Sequence, residues 1–380
     1  MITITYVFLH IVLLAIFYIW GKRIDENPSK YWRLAIIPIV FFTLEEGLRW
    51  GRFIDWCAYY ELYNNVPHTW EFLFRNWWKL FNTWGIPYPI VITLCSLIFI
   101  LSLFILFKPY SGLFRIFFPL MIAFSALSAE NFIRWYCALS VIFISLRFFL
   151  DKKWLQFTII TCIVPLVHFG TVLLFILLIL ATFLKRPIPP TLTICISIGL
   201  ILFFNSSFLL HFTDVVDFMF GHIEKFVSYM DNIEGWITGS GQNSDVERKG
   251  TFTYLISMIP FYCIIWSAYK IKRDLGSDYL IIYNLGVIGL LMLSISSGLE
   301  ILQRYAEVFY PFISLLCAYV IKRLSKSLTV SRLRSNLLIA VCYIFILWKF
   351  FVFIRPLERE EFMCYVWNYW LSPFSTYNLY

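Results

Sequence analysis

Residues able to do chemistry fall in four short stretches. "LRWGRFIDWCAYY" (48–60) carries Arg49, Arg52 and Asp55, "SAENFIRWY" carries Glu130 and Arg134, "VPLVHFG" carries His168, and "SSGLEILQRYAE" carries Glu300, Gln303, Arg304 and Tyr305. An acid precedes an arginine by four residues at Glu45 and Arg49, at Glu130 and Arg134, and at Glu300 and Arg304. On one helix such residues are neighbours and can pair, and arginines near a membrane surface can also snorkel to headgroups. The other reading is an anion site, because planar guanidinium forks bind phosphate or pyrophosphate bidentately. Placing arginine toward the bilayer centre costs about 2.5 to 3.5 kcal/mol, so intramembrane charges mark function by default. For proton transfer, His168 has a suitable unperturbed pKa near 6.5, with Asp55 and Glu300 as rivals. No metal is expected: there is no DxD, HxxxH or HExxH, and the five histidines show no zinc spacing. The nine cysteines show no CxxC, and most sit in apolar runs as small hydrophobes. Cys57 and Cys364 share one predicted side, where a bridge is conceivable but spacing cannot establish it.

The elements that carry these residues are membrane spans. Of 380 residues 60% are hydrophobic and 14% charged, with mean hydropathy +0.76, whereas soluble domains carry roughly a quarter charged residues. Runs near the ~20 apolar residues needed to cross a bilayer fall at 3–21, 32–47, 88–107, 113–131, 133–150, 154–168, 169–184, 191–210, 252–270, 279–298, 302–321 and 336–354. The pair 154–168 and 169–184 is one continuous run, broken only at "VPLVHFGT". The expected fold is an all-α polytopic membrane protein, a single membrane domain over 1–380 with about twelve transmembrane helices and two larger extracytoplasmic loops carrying amphipathic helices. The first run has no basic n-region or small-residue cleavage site and reads as a retained span.

Basic residues set the orientation, because lysine and arginine are retained on the cytoplasmic side. With both termini outside, the inner connections collect most of the 31 basic residues, among them Lys22, Arg23, Lys152, Lys153, Lys185, Arg186, Lys322 and Arg323. Most acids then lie outside. The positive balance is a topology signal and implies no nucleic acid. The four stretches all face outward. So do a loop over 48–87, with an interfacial helix at 68–84 whose Trp70, Leu73, Phe74, Trp77, Phe81 and Trp84 recur at helical spacing, and a loop over 209–251. The latter combines a weaker amphipathic stretch at 214–237 with flexible "TGSGQNSD". The two helices read either as a lid over a lipid-facing cleft or as ordinary surface helices.

The order "LRWGRFID", "NFIRWYCALSV", "VPLVHFGTVLL" and "QRYAEVFYPF", with a large outer loop between the third and fourth, resembles the EpsG family of Wzy-type polysaccharide polymerases. The resemblance spans roughly 45–315. It implies an enzyme of the bacterial plasma (inner) membrane that joins undecaprenyl-pyrophosphate-linked oligosaccharide repeats for O-antigen, capsule or exopolysaccharide, without a cofactor. Membrane lipids, a chain-length regulator and a flippase are the implied partners. Arg49, Asp55, Arg134, His168 and Arg304 match the family's recurrent polar positions. Local spacing adds Arg52 and Glu300, with Glu130, Gln303 and Tyr305 as supporting residues. The family commonly shows a glycine close before the aspartate, where this chain has Phe53 and Ile54. The expected chemistry is attack of a sugar hydroxyl on an anomeric carbon, with Arg49, Arg52, Arg134 and Arg304 on the departing pyrophosphate and His168, Asp55 or Glu300 as base. An O-antigen ligase would share the arginines and the lid. A flippase for the same lipid gains nothing from the outer loops, and the plain inner loops offer an acyltransferase no coenzyme A site.

Overall fold

The computed structural model describes residues 1–203, 251–271, 277–296, 300–325 and 332–371. Within them the chain is helical, with no β-strand. Among the described residues six stretches are long and apolar enough to cross a membrane: Ile2–Glu26, Tyr88–Asn131, Ile133–Leu150, Thr251–Lys270, Tyr279–Ser296 and Ser335–Ile354. The all-helical, multi-pass character is therefore present, and Tyr88–Asn131, at 44 residues, holds two helices joined by a 3-10 turn. The loop 209–251 and its segment 214–237 lie largely outside the described residues.

The chain forms two compact units, Met1–Ile179 with Ile346–Tyr380, and Leu180–Phe345. In the first, α1 (Ile2–Glu26) packs on α2 (Tyr31–Gly47) and on α6 (Phe114–Asn131), and α2 packs on α5 (Tyr88–Phe107). Helix α5 then meets α7 (Ile133–Leu150), which meets α8 (Trp154–Val167). Stacked phenylalanines fill the interior, with Phe104 and Phe118 at 4.2 Å and Phe17 edge-on to Phe42 at 6.3 Å. Two glycines permit the close approaches: a Cβ on Gly21 would lie 2.6 Å from the Phe114 carbonyl oxygen, and one on Gly47 2.5 Å from the Thr93 Cα. The first N–H groups of a helix lack internal partners. At α6 the carboxylate of Asp25 accepts them from Phe114 at 2.8 Å and Arg115 at 3.3 Å. Outward-facing side chains such as Ile4, Phe8, Leu347 and Phe351 are large and apolar, as suits contact with lipid.

The expected break in the run 154–184 falls at His168. Helix α8 ends at Val167, His168 is extended (φ −156°, ψ 109°), and α9 (Val172–Phe183) follows a single 3-10 turn. With 14 and 12 residues these helices are about 21 and about 18 Å long, short of the ~30 Å hydrocarbon core. Phe157 and Phe175 stack at 5.8 Å. His168 thus stands at the apex of a hairpin of short helices.

The loop 48–87 holds two helices: α3 (Phe53–Leu62), unforeseen from its pattern, and the expected interfacial helix, α4, shorter than predicted at Phe72–Thr83. Phe74 and Trp78 of α4 are fully buried against Trp56, Tyr59, Tyr63 and Tyr88. Phe72, Leu73, Leu80 and Trp84 are exposed. Helix α4 therefore has two apolar faces, one cemented to α3 and one outward, with Arg75 and Lys79 between.

The second unit contains α10 (Pro190–Phe203), α11 (Thr251–Lys270), α12 (Ser277–Ser296), α13 (Glu300–Glu307) and α14 (Tyr310–Leu324), followed by most of α15 (Arg332–Ile354). Ser197 ties α10 to α11 through Tyr262 at 2.8 Å and to α12 through Ser294 at 2.6 Å. Asn284 accepts from the Ile188 N–H at 3.2 Å and donates to the carbonyls of Leu184 and Arg186. The expected span 302–321 is two helices, and Pro311 lies in the first turn of the second, where its missing N–H costs no helix bond.

Candidate functional site

Most of the predicted polar residues of the first unit gather where α2 and α6 end and α7 begins. Helix α2 stops at Gly47 and α6 at Asn131, and Phe132 (φ −94°, ψ 60°) separates α6 from α7. Glu45 and Arg49 are therefore not on one continuous helix, nor are Glu130 and Arg134. The pairs expected from four-residue spacing are replaced by others.

Arg52 pairs with Glu130 at 2.6 Å and lies 3.7 Å from Glu45. Its guanidinium carbon sits 4.3 Å from the Tyr365 ring and 5.0 Å from the Tyr6 ring. Burial works against its charge, but Glu130, Glu45 and Glu46 outweigh burial and hold its pKa well above that of an ordinary guanidinium. Arg49, 2% exposed, donates to the Glu46 carbonyl and, at 3.1 Å, to the Glu130 carbonyl. It supplies donors to the carbonyl ends of two helices at once, the position that a helix dipole favours for a cation. Both forks are thus used inside the protein.

The segment following α15 completes this cluster. Residues 364–366 run antiparallel to 48–50: the Trp50 N–H donates to the Cys364 carbonyl at 2.9 Å and the Val366 N–H to the Leu48 carbonyl at 2.8 Å. The Tyr365 hydroxyl donates to Glu45. Burial pushes that phenol far up, so it keeps its proton. Cys57 and Cys364 are thiols, directed at the carbonyls of Gly51 (3.7 Å) and Glu360 (3.6 Å), and no disulfide joins them.

The loop between α2 and α3 turns through left-handed backbone at Gly51 (φ 66°) and again at Phe53 (φ 64°). A left-handed conformation costs a residue with a Cβ about 1 to 2 kcal/mol, and Phe53 stacks on Phe362 at 5.5 Å. Phe53→Gly and Phe53→Ala both lose that stack, so glycine is expected to be more stable than alanine by about 1 kcal/mol. Equal thermal denaturation of the two proteins would show that residue 53 does not hold this backbone. Asp55 sits in the first turn of α3, where its N–H meets the Asn131 side-chain oxygen at 3.4 Å.

A second, more open cluster lies on α7, α4 and the α8–α9 apex. Arg134 pairs with Glu71 at 3.1 Å and stands over the Trp70 ring at 5.6 Å. Glu71, the residue preceding α4, also accepts the Phe169 N–H at 3.2 Å and lies 3.8 Å from Nδ1 of His168. Trp135 meets the His168 ring edge-on at 5.5 Å. Arg134 and His168 keep 15% and 19% of their side chains exposed. His168 Nδ1 accepts the Gly170 N–H at 3.1 Å, so the neutral ring carries its proton on Nε2. In this tautomer the ring accepts at Nδ1 and donates at Nε2. Glu71 escaped notice in the sequence because it reads as one more charge on an amphipathic helix, 63 positions from Arg134.

In the second unit Arg304 and Tyr305 lie on α13, and Gln303 donates to Glu307 at 3.0 Å. Glu300 opens α13, and its side chain lies outside the described residues.

The family model of the EpsG family matches residues 32–369. The chain belongs to the EpsG family, a family of Wzy-type polysaccharide polymerases. No curated protein and no solved structure matches it. Apart from Tyr6, both clusters fall within the matched range. The EpsG chain thus presents two polar assemblies in its first unit, one sealed and one partly open.

Proposed function

We propose that this EpsG-family protein is a glycosyltransferase joining undecaprenyl-pyrophosphate-linked oligosaccharide repeats at the outer face of the bacterial plasma membrane. The observation that carries this reading is the partly open group of Arg134, Glu71 and His168 between Trp70 and Trp135. Such a group offers a cation for a departing pyrophosphate, a carboxylate and an imidazole for a hydroxyl, and aromatic faces for sugar rings. In the reaction a hydroxyl oxygen of one repeat bonds to the anomeric carbon of the other. The bond from that carbon to the pyrophosphate oxygen breaks, the electron pair leaves with undecaprenyl pyrophosphate, and the hydroxyl proton passes to a base.

Arg134 stabilises the developing phosphate charge. For His168 to take the hydroxyl proton on Nε2, the ring must first exchange to the Nδ1–H tautomer and give up the Gly170 N–H bond, with Glu71 Oε1, 3.8 Å away, the carboxylate that receives that N–H once the two close to hydrogen-bond distance. Glu71 is then the group that orients the base, while Asp55 and Glu300 stay rivals to His168. Arg49 and Arg52 contribute by fixing the ends of α2 and α6.

Glycan length in a deletion strain tests the assignment. A polymerase deletion leaves single repeats on the acceptor lipid. Long polymer retained on undecaprenyl pyrophosphate would make the protein a ligase, and repeats trapped inside would make it a flippase.

A further inference from the structure

We propose that His10, Glu46 and Glu130 bind one divalent cation of the manganese–zinc class, joining α1, α2 and α6. The donors are pre-set. Nδ1 of His10 lies 3.0 Å from the Tyr6 carbonyl oxygen and 3.5 Å from Glu45 Oε1. Both neighbours are acceptors, so Nδ1 carries the proton and the lone pair is on Nε2. Metal-binding imidazoles are oriented in this way, by a backbone carbonyl or carboxylate on the other nitrogen. Nε2 is buried without a hydrogen-bond partner, and the carboxyls of Glu46 and Glu130 face each other within hydrogen-bond reach with no donor between them, an arrangement that calls for a cation or a proton. His10, Glu46 and Glu130 are 0%, 2% and 1% exposed. One donor atom from each lies within 4.8 Å of the others. A cavity of about 20 Å³ lined by Glu46, Glu130, Arg49, Ser96 and Tyr136 adjoins them, room for one water-sized occupant.

Charge points the same way. When all three are ionised, Glu45, Glu46 and Glu130 bring three negative charges. Arg52 answers one, and Arg49 is answered by the carbonyl ends of two helices, each worth about half a negative charge. About two negative charges remain, which a divalent ion balances. Two carboxylate oxygens and one imidazole nitrogen suit manganese, iron or zinc. Spacing along the chain cannot reveal the site, since its three ligands come from three helices.

The test uses the full-length protein in detergent, treated with chelator and then dialysed against Mn²⁺ or Zn²⁺ alone. Wild-type protein is expected to retain one ion per chain by elemental analysis and to denature at a lower temperature after chelation, with recovery on adding back the ion. Glu46→Gln and His10→Gln should each lose the ion, while Arg134→Lys should keep it. The proposal is overturned if wild-type protein retains no more metal than Glu46→Gln and its melting ignores chelator. A proton shared by Glu46 and Glu130 would then occupy the site. Should the variants fail to fold, the wild-type retention and chelator response decide alone.

Discussion

Protein carrying Arg134→Lys is expected to insert normally, to accumulate to wild-type levels, and to make polymer about a hundredfold to a thousandfold more slowly, the usual effect of removing one preorganised donor to developing charge. Lysine keeps the positive charge that answers Glu71, now 3.1 Å from Nη1 of the arginine, so an ion pair that merely fastens α4 to α7 would survive. What it lacks is a planar fork able to hold Glu71 on one side and a phosphate oxygen on another. The measurement is polymer length and rate in cells or vesicles, with protein level and retention of lipid-linked repeat measured alongside. Normal polymer from the lysine protein, with loss of protein in Arg134→Ala, would make the pair structural and move the site elsewhere.

Arg52→Met should instead strike the fold. Removing one partner of a buried charge pair leaves the other uncompensated, at about 3 to 5 kcal/mol, and here Glu130 at 2.6 Å and Glu45 at 3.7 Å both lose their cation. The expected result is a large drop in thermal stability in detergent, or loss of the protein from the membrane. Arg52→Met with Glu130→Gln should lose less than the sum of the two single changes, because the groups are in contact. Wild-type stability for Arg52→Met would contradict the buried arrangement.

Membrane character and the break at His168 were legible in sequence, because apolar length and a local Pro–Gly pattern are properties of single segments. Partner choice was not. The rule that pairs an acid with an arginine four residues on requires one uninterrupted helix, and Gly47 and Phe132 interrupt it in two of the three cases. Arg134 therefore turns to Glu71 and Glu130 to Arg52, across distances set by packing. Helix α3 was missed because its aromatic residues, including the fully buried Trp56, mask any simple polar–apolar alternation. The return of residues 364–366 to the α2–α3 loop rests on two backbone hydrogen bonds, which leave no compositional trace.

That return gives the assembly a timetable. Glu45 and Tyr365 stand 320 positions apart. At roughly 5 to 20 residues per second, Tyr365 leaves the ribosome roughly 16 to 64 s after Glu45. During that interval α6 is added to the α1 and α2 made before it, while the phenol that closes over Arg52 and Glu45 is still to come. The sealed cluster is thus among the last parts of the first unit to mature, and a tag or truncation placed near residue 366 acts on helices that were synthesised first.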